Sequence, residues 1–198
     1  MSHSGKLLVQ TLTAIAILAT FSALLSASAP HGWLLAGSKP AGYDTGVDPA
    51  VKHNNIQSAY LKSKPTLLPD EKVFGTLMQN FRATQYPGKR VRFSGFVKAE
   101  EVKDWAGLWM RIDKYSSVVG FDNMQDRPIK GTNDWREYAV VLDVPPDATN
   151  IAFGILLSQS GVVWLNSANF EVVDSNVEVT GKKTAAPDRP TNLNFQEN

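Results

Sequence analysis

Residues 105–128 read WAGLWMRIDKYSSVVGFDNMQDRP, and the way this stretch alternates decides the fold. From Leu108 the apolar residues fall on every second position: Leu108, Met110 and Ile112 point one way, Trp109, Arg111 and Asp113 the other. A period of two predicts a β-strand with one face for a core. The opposite face carries an aromatic plate, a cation and a carboxylate side by side, a set that suits a polar, ring-shaped ligand. The stretch Phe121 to Pro128 is denser in amides and charges than a plain connector needs. Two readings of it stay open: Asp122, Asn123 and Gln125 line a pocket beside Trp109, or they cap turns while Arg127 pairs with Asp122 or Asp126.

Working outward, the same period recurs. Arg90 to Lys98 alternates Val91, Phe93, Gly95 and Val97 with Arg92, Ser94, Phe96 and Lys98. Ala99 to Trp105 is expected to be a short helical or irregular break, Val118 to Phe121 a strand, and Asp122 to Asn133 a loop. Downstream, Tyr138, Val140 and Leu142 share one face of Trp135 to Val144, and Ile151, Phe153, Ile155 and Leu157 form the next alternating set. Val162 to Val173 then returns. Upstream, Trp33 to Ala36, Ser58 to Lys62 and Phe74 to Ala83 are candidate strands, separated by loops over Gly37 to Asn55 and around Pro65 to Glu71. Many short strands with turn signals between them predict an all-β domain, a sandwich or jelly roll of two antiparallel sheets.

The termini differ in character. In residues 1–29 a thin positive start at Lys6 precedes an apolar run from Leu7 to Leu25, and Ser26 to Ala29 is a small-residue zone. This predicts a signal peptide or an uncleaved membrane anchor, with the remainder exported: periplasmic, secreted or anchored outside the cytoplasm. The domain proper is expected over 30–173. Residues 174–198, rich in Lys, Pro, Asn, Asp and Thr, are expected to be a flexible tail. The 198 residues carry 20 Lys+Arg against 19 Asp+Glu and no cysteine. A net charge of +1 with no basic stripe leaves no electrostatic footprint for nucleic acid, and without cysteine there is no disulfide framework or thiolate metal site.

The stretches GKRVRFSGFVKAE, WAGLWMRID and TNDWREYAVVLDVPPDATNIAFGILLSQSGVVWLNSANFEVV together resemble galactose-binding-like jelly rolls of the carbohydrate-binding-module type. They are also similar to a bacterial domain found behind export signals or attached to AraC-like regulators. The resemblance covers about Trp33 to Val173. It implies two antiparallel sheets, with ligand met on the concave face or at the loop end. Such modules commonly hold a structural calcium through an Asp–Asp pair in the final strand. Here that place reads Trp164-Leu165-Asn166-Ser167, with no carboxylate, so no metal or other cofactor is expected.

Sugar recognition needs a flat apolar plate and planar polar groups that bind hydroxyls in pairs. Trp109, Phe96 and Trp135 are the candidate plates, and Arg92, Arg111, Asp113, Asp122, Asn123 and Gln125 the candidate polar groups. The competing reading has the tryptophans filling the sandwich and the charges pairing on its surface. No HExxH spacing, GxSxG elbow or phosphate-cradling glycine loop is present, and no catalytic residue is expected. The expected function is an exported non-catalytic binding module for a carbohydrate or other polyhydroxylated ligand, with a glycan or a cell-envelope component as the expected partner. A protein–protein interaction domain of the envelope stands second and an unrecognised hydrolase third. A membrane partner enters only if the N-terminal segment is uncleaved.

Overall fold

The pairing that starts at Arg90 does not stop at Ala99, although the buried positions change from odd to even numbers there. In the computed structural model, which describes residues 28–68 and 72–181, it runs on as a single strand of 25 residues, Arg90–Lys114. Counting along the chain, the strands are β1 (Leu34–Gly37), β2 (Tyr43–His53), β3 (Ile56–Ser63), β4 (Phe74–Arg82), β5 (Arg90–Lys114), β6 (Ser117–Asp122), β7 (Ile129–Asp143), β8 (Asn150–Ser158) and β9 (Val162–Val173). The only other regular element among the described residues is one 3-10 turn at Pro40–Gly42. None of their helices is long and apolar enough to cross a membrane.

β5 organises the rest because it belongs to both layers. Its first half pairs antiparallel with β7 on one side and β9 on the other; its second half pairs with β8 and β6. One layer is therefore β1-β4-β8-β5-β6 and the other β7-β5-β9-β3-β2. The strand changes layer between Val97 and Ala106, where its register against β7 shifts three times and Glu101 takes a left-handed φ of +52°. Bulges at such a corner bend a strand without ending its pairing. The break expected at Ala99 to Trp105 is thus a bent strand. The all-β jelly-roll sandwich expected from the pattern is the observed fold.

The core lies between the layers. Val91, Phe93, Leu108, Met110, Ile112, Val140, Ile151, Ile155 and Leu157 are each no more than 1% exposed, and all belong to one cluster. Each such side chain contributes about 1.5–3 kcal/mol of burial. Trp109, Ala152 and Leu156 form a separate cluster with Met78 and Trp105, in keeping with the opposite parity of position 109.

Two other expectations are corrected. The loop over Gly37 to Asn55 contains β2, whose Pro49 sits inside a bulge between Asp48 and Lys52. There Asp48 Oδ1 accepts the N–H groups of Ala50 and Val51, so a proline without a donor is tolerated. Asn54 and Asn55, with φ of +48° and +64°, close the β2–β3 hairpin as a two-residue turn. The loop over Asp122 to Asn133 is shorter than expected, since β7 begins at Ile129.

At the C-terminus, residues 174–181 of the expected tail are held down. The Arg90 guanidinium donates to the Ser175 and Val177 carbonyls, and Thr180 bonds to Val141 through both backbone and side chain. The signal or anchor expected before residue 28, and the tail from 182 onward, lie outside the described residues.

Candidate functional site

The outer face of the β1-β4-β8-β5-β6 layer carries the residues that share parity with Trp109. Gly154 pairs with Trp109 on β8 and Met78 pairs with Gly154 on β4. A Cβ on Gly154 would lie 2.3 Å from the Leu77 carbonyl oxygen and 2.8 Å from the Met78 Cα, so only glycine lets β4 approach β8 this closely. The indole is 8% exposed, and its Nε1–H donates to the Thr76 hydroxyl at 2.7 Å. Thr76 in turn donates to the Ile155 carbonyl at 2.9 Å. Trp109 is therefore part of a floor, locked in orientation, and not a free-standing plate.

Over that floor lies a groove of 350 Å³. Its lining runs diagonally across the layer, from Ala36, Gly37 and Phe74 at the β1–β4 edge, over Thr76, Met78, Leu156 and Trp109, to Arg111, Phe121 and Asn123 at the β6 edge. Phe74 and Phe121 are 36% and 46% exposed, so a half-open phenyl ring stands at each end. Arg111 pairs across the ladder with Phe121. Its Nε and Nη2 donate to the two oxygens of Asp113 at 2.9 and 3.1 Å, and Asp113 also accepts from Asn150 Nδ2 at 3.3 Å. The Asp113 side chain is 11% exposed against 44% for Arg111. The more buried carboxylate orients the guanidinium beside it on the same strand, and the cation faces the solvent.

Asn123 lies over Gly107, where an added Cβ would meet the Asn123 carbonyl at 3.0 Å and the Met124 Cβ at 2.9 Å. Asp122 turns inward. It is 7% exposed and accepts from the Met124 N–H, from both terminal nitrogens of Arg127 and from the Thr180 hydroxyl. Burial pushes its carboxyl up, but the bonds from Arg127, Thr180 and Met124, with the Arg127 charge, outweigh this and hold it below the ordinary 3.8. Asn123 Oδ1 accepts the Gln125 N–H at 3.2 Å. Of the two readings open for this loop, the structure shows turn-capping by Asp122 and Asn123 and also the placing of Asn123 in the groove.

Phe96, Trp135 and Arg92 do not meet Trp109, because β5 has changed layer between them. Phe96 stacks on His53 at 4.2 Å between ring centroids, and Trp135 tilts against the same imidazole at 5.1 Å. Arg92 pairs with Glu137 at 2.8 Å. Gln125 lines a separate cavity on the flank of β6. The residues that sequence reasoning missed are Phe74, Thr76 and Phe121. Phe121 had a signal: once the chain hairpins after Lys114, it falls beside Arg111 on the outer face. Phe74 had none, since nothing local tells that β4 lies two strands from β5.

With this geometry in hand, comparison with known proteins is informative about the scaffold. No family model matches the chain. Over 169 residues, 84% of its length, it is 44% identical to YbfP of Bacillus subtilis (strain 168), named as an uncharacterized HTH-type transcriptional regulator. The chain spans 57% of that relative's length. Among solved structures, a xylan-binding domain of Paenibacillus barcinonensis superposes with a TM-score of 0.51 at 13% identity, over 76% of this chain and 91% of that one. The enzymatically active domain of tailspike protein 4 of bacteriophage CBA120 gives 0.50 at 18% identity, over 72% of this chain and 20% of the phage chain. What they share is the jelly roll. At such identities the likeness concerns the fold alone, and in the phage protein it covers a fifth of the chain.

Proposed function

We propose that the diagonal groove binds a carbohydrate or similar polyhydroxylated ligand and does not turn it over. The observation that carries this reading is the pair of half-exposed rings, Phe74 and Phe121, flanking a floor of Trp109 with Arg111 fixed by Asp113 beside it. Phenyl faces take the C–H faces of sugar rings, while a guanidinium and the Asn123 amide supply paired hydrogen bonds to hydroxyls. Glycoside hydrolysis uses two facing carboxyls, and the groove lining contains none, which favours binding over hydrolysis. The jelly-roll likeness to a xylan-binding domain adds support.

A glycan array probed with the full chain tests the reading, with Phe74→Ala and Phe121→Ala as controls that leave the floor intact. Each substitution is expected to weaken binding about tenfold, the effect of losing one stacking partner worth roughly 1 kcal/mol or a little more. Absence of binding to every glycan, or binding indifferent to both substitutions, overturns it.

The match to a protein named as a transcriptional regulator favours a second role for the same groove, that of a sensor whose occupancy is passed to an attached partner. We further propose that residues 1–29 direct export, on the strength of their apolar run. Fusion of this segment to a reporter that is active only outside the cytoplasm decides that point.

A further inference from the structure

The groove ends at Phe121 and Asn123, and a second cavity adjoins it there. It measures 460 Å³ and is lined by Val118, Phe121, Asn123, Gln125, Asp126 and Thr180, among others. Phe121 and Asn123 line both spaces, so the two adjoin at these residues. Each volume lies in the ordinary range of small-ligand pockets.

The far wall is unusual in its origin. Thr180 belongs to the C-terminal segment, not to the sandwich strands. Its hydroxyl donates to Asp122 at 2.6 Å and accepts the Val141 N–H at 2.8 Å, while its own N–H donates to the Val141 carbonyl at 3.0 Å. The next residue, Gly181, passes so close to β6 that a Cβ there would lie 2.9 Å from the Phe121 carbonyl oxygen. Through Thr180 the segment 174–181 therefore contributes to the cavity wall, and Asp122 ties it to the same loop that lines the groove.

We propose that this flank cavity is a second subsite for the same ligand, one that takes a further polyhydroxylated unit of an unbranched chain laid over Phe121, and that its occupancy is linked to the seating of residues 174–181. This rests on the reading of the groove as a carbohydrate site. Gln125 and Asp126 are exposed at the cavity; Gln125 presents its amide to hydroxyls, and Asp126, whose Oδ1 accepts from Arg127 Nη1 at 2.9 Å, its other carboxylate oxygen. A chain reaching Thr180 binds the seated segment in preference to the released one. By reciprocity it holds that segment down, whereas a ligand confined to the groove does so less.

The test is calorimetry on the full chain with xylo-, cello- and β-1,4-galacto-oligosaccharides of one to six units, paired with hydrogen exchange at the Thr180 and Val141 amides. The expected result is a rise in affinity of at least tenfold from the shortest bound member to the hexamer. Gln125→Ala, at an exposed position, should remove the rise and leave the short ligand unaffected. The hexamer should slow exchange at both amides at least threefold more than the shortest ligand does. Affinity that is flat with length, or a rise that Gln125→Ala does not touch, overturns the subsite and leaves the groove reading standing. A rise without slower exchange overturns the link to the C-terminal segment. No binding of any oligosaccharide overturns the groove reading and this inference together.

Discussion

The indole N–H of Trp109 donates to the hydroxyl of Thr76 at 2.7 Å, across the strand that lies between them. This bond fixes the floor of the groove, and it explains how an 8% exposed tryptophan rests on the outer face of a sheet with its polar edge satisfied. Thr76→Val keeps the shape and removes the acceptor. The variant is expected to lose about 1–3 kcal/mol, the cost of leaving a covered donor unpaired, read as a lower midpoint in urea. Trp109→Ala should lose more, roughly 3–5 kcal/mol. Loss of ligand binding in that variant would then reflect a damaged scaffold, which is why the exposed rings at 74 and 121 are the better probes.

Gly154→Ala tests the close approach under the same indole. The new methyl would meet a backbone oxygen at 2.3 Å and a backbone carbon at 2.8 Å, neither of which can swing aside. A destabilisation of about 2 kcal/mol or more is expected, since β4 and β8 must separate to admit it. Gly88→Ala is the contrast. Among the described residues no atom lies within 4 Å of its added Cβ, and only the φ of +71° opposes it. Thermal melts of the two variants should differ clearly, with Gly154→Ala the lower.

Asp122 predicts the acid limb of stability. Its folded carboxyl titrates below 3.8, so the unfolded chain takes up the proton first as the pH falls. Its contribution is complete above the ordinary carboxylate value and is lost from about pH 4 downward through the lowered folded value. Asp122→Asn should lower the midpoint at pH 7 and flatten the fall between pH 5 and pH 3. In the same variant the bonds to Arg127 and Thr180 weaken, and a protease should reach residues 174–181 sooner. Chemical denaturation at stepped pH checks the first statement and timed digestion the second. A variant as acid-sensitive as the parent removes Asp122 from the account.

The strands were legible wherever their neighbours were regular. Leu108, Met110 and Ile112 lie in a segment that pairs with β8 without a slip, and the prediction that Trp109 faces away from them is what the structure shows. The break foreseen at Ala99 failed for a physical reason: Glu100, Glu101 and Lys103 lie on a bulged corner where charged side chains reach solvent without the backbone leaving its ladder. The grouping of candidate site residues was less legible. Phe96 and Trp109 lie thirteen positions apart on one strand, but a change of layer between them separates their faces, and no local pattern records it. Thr180 was hidden differently, since a polar, proline-containing terminus looks like solvent-exposed chain until its hydroxyl is seen on Asp122.

The remaining aromatic group yields the last prediction. His53 stacks on Phe96 and leans on Trp135, and its Nδ1 is buried with no hydrogen-bond partner among the described residues. A covered nitrogen of this kind costs about 1–3 kcal/mol relative to a satisfied one. His53→Phe keeps a flat ring against both neighbours and deletes the orphaned atom. The imidazole is partly exposed, and losing hydration at its other nitrogen offsets some of the gain. The expected net effect is a stabilisation of roughly 1 kcal/mol, a rise of about 2–4 °C in melting temperature for a domain of this size. His53→Ala should move the other way, because the stack is lost. A melting temperature for His53→Phe at or below that of the parent would mean that hydration of the other ring nitrogen outweighs the cost of the covered Nδ1, and would remove the orphaned atom from the account.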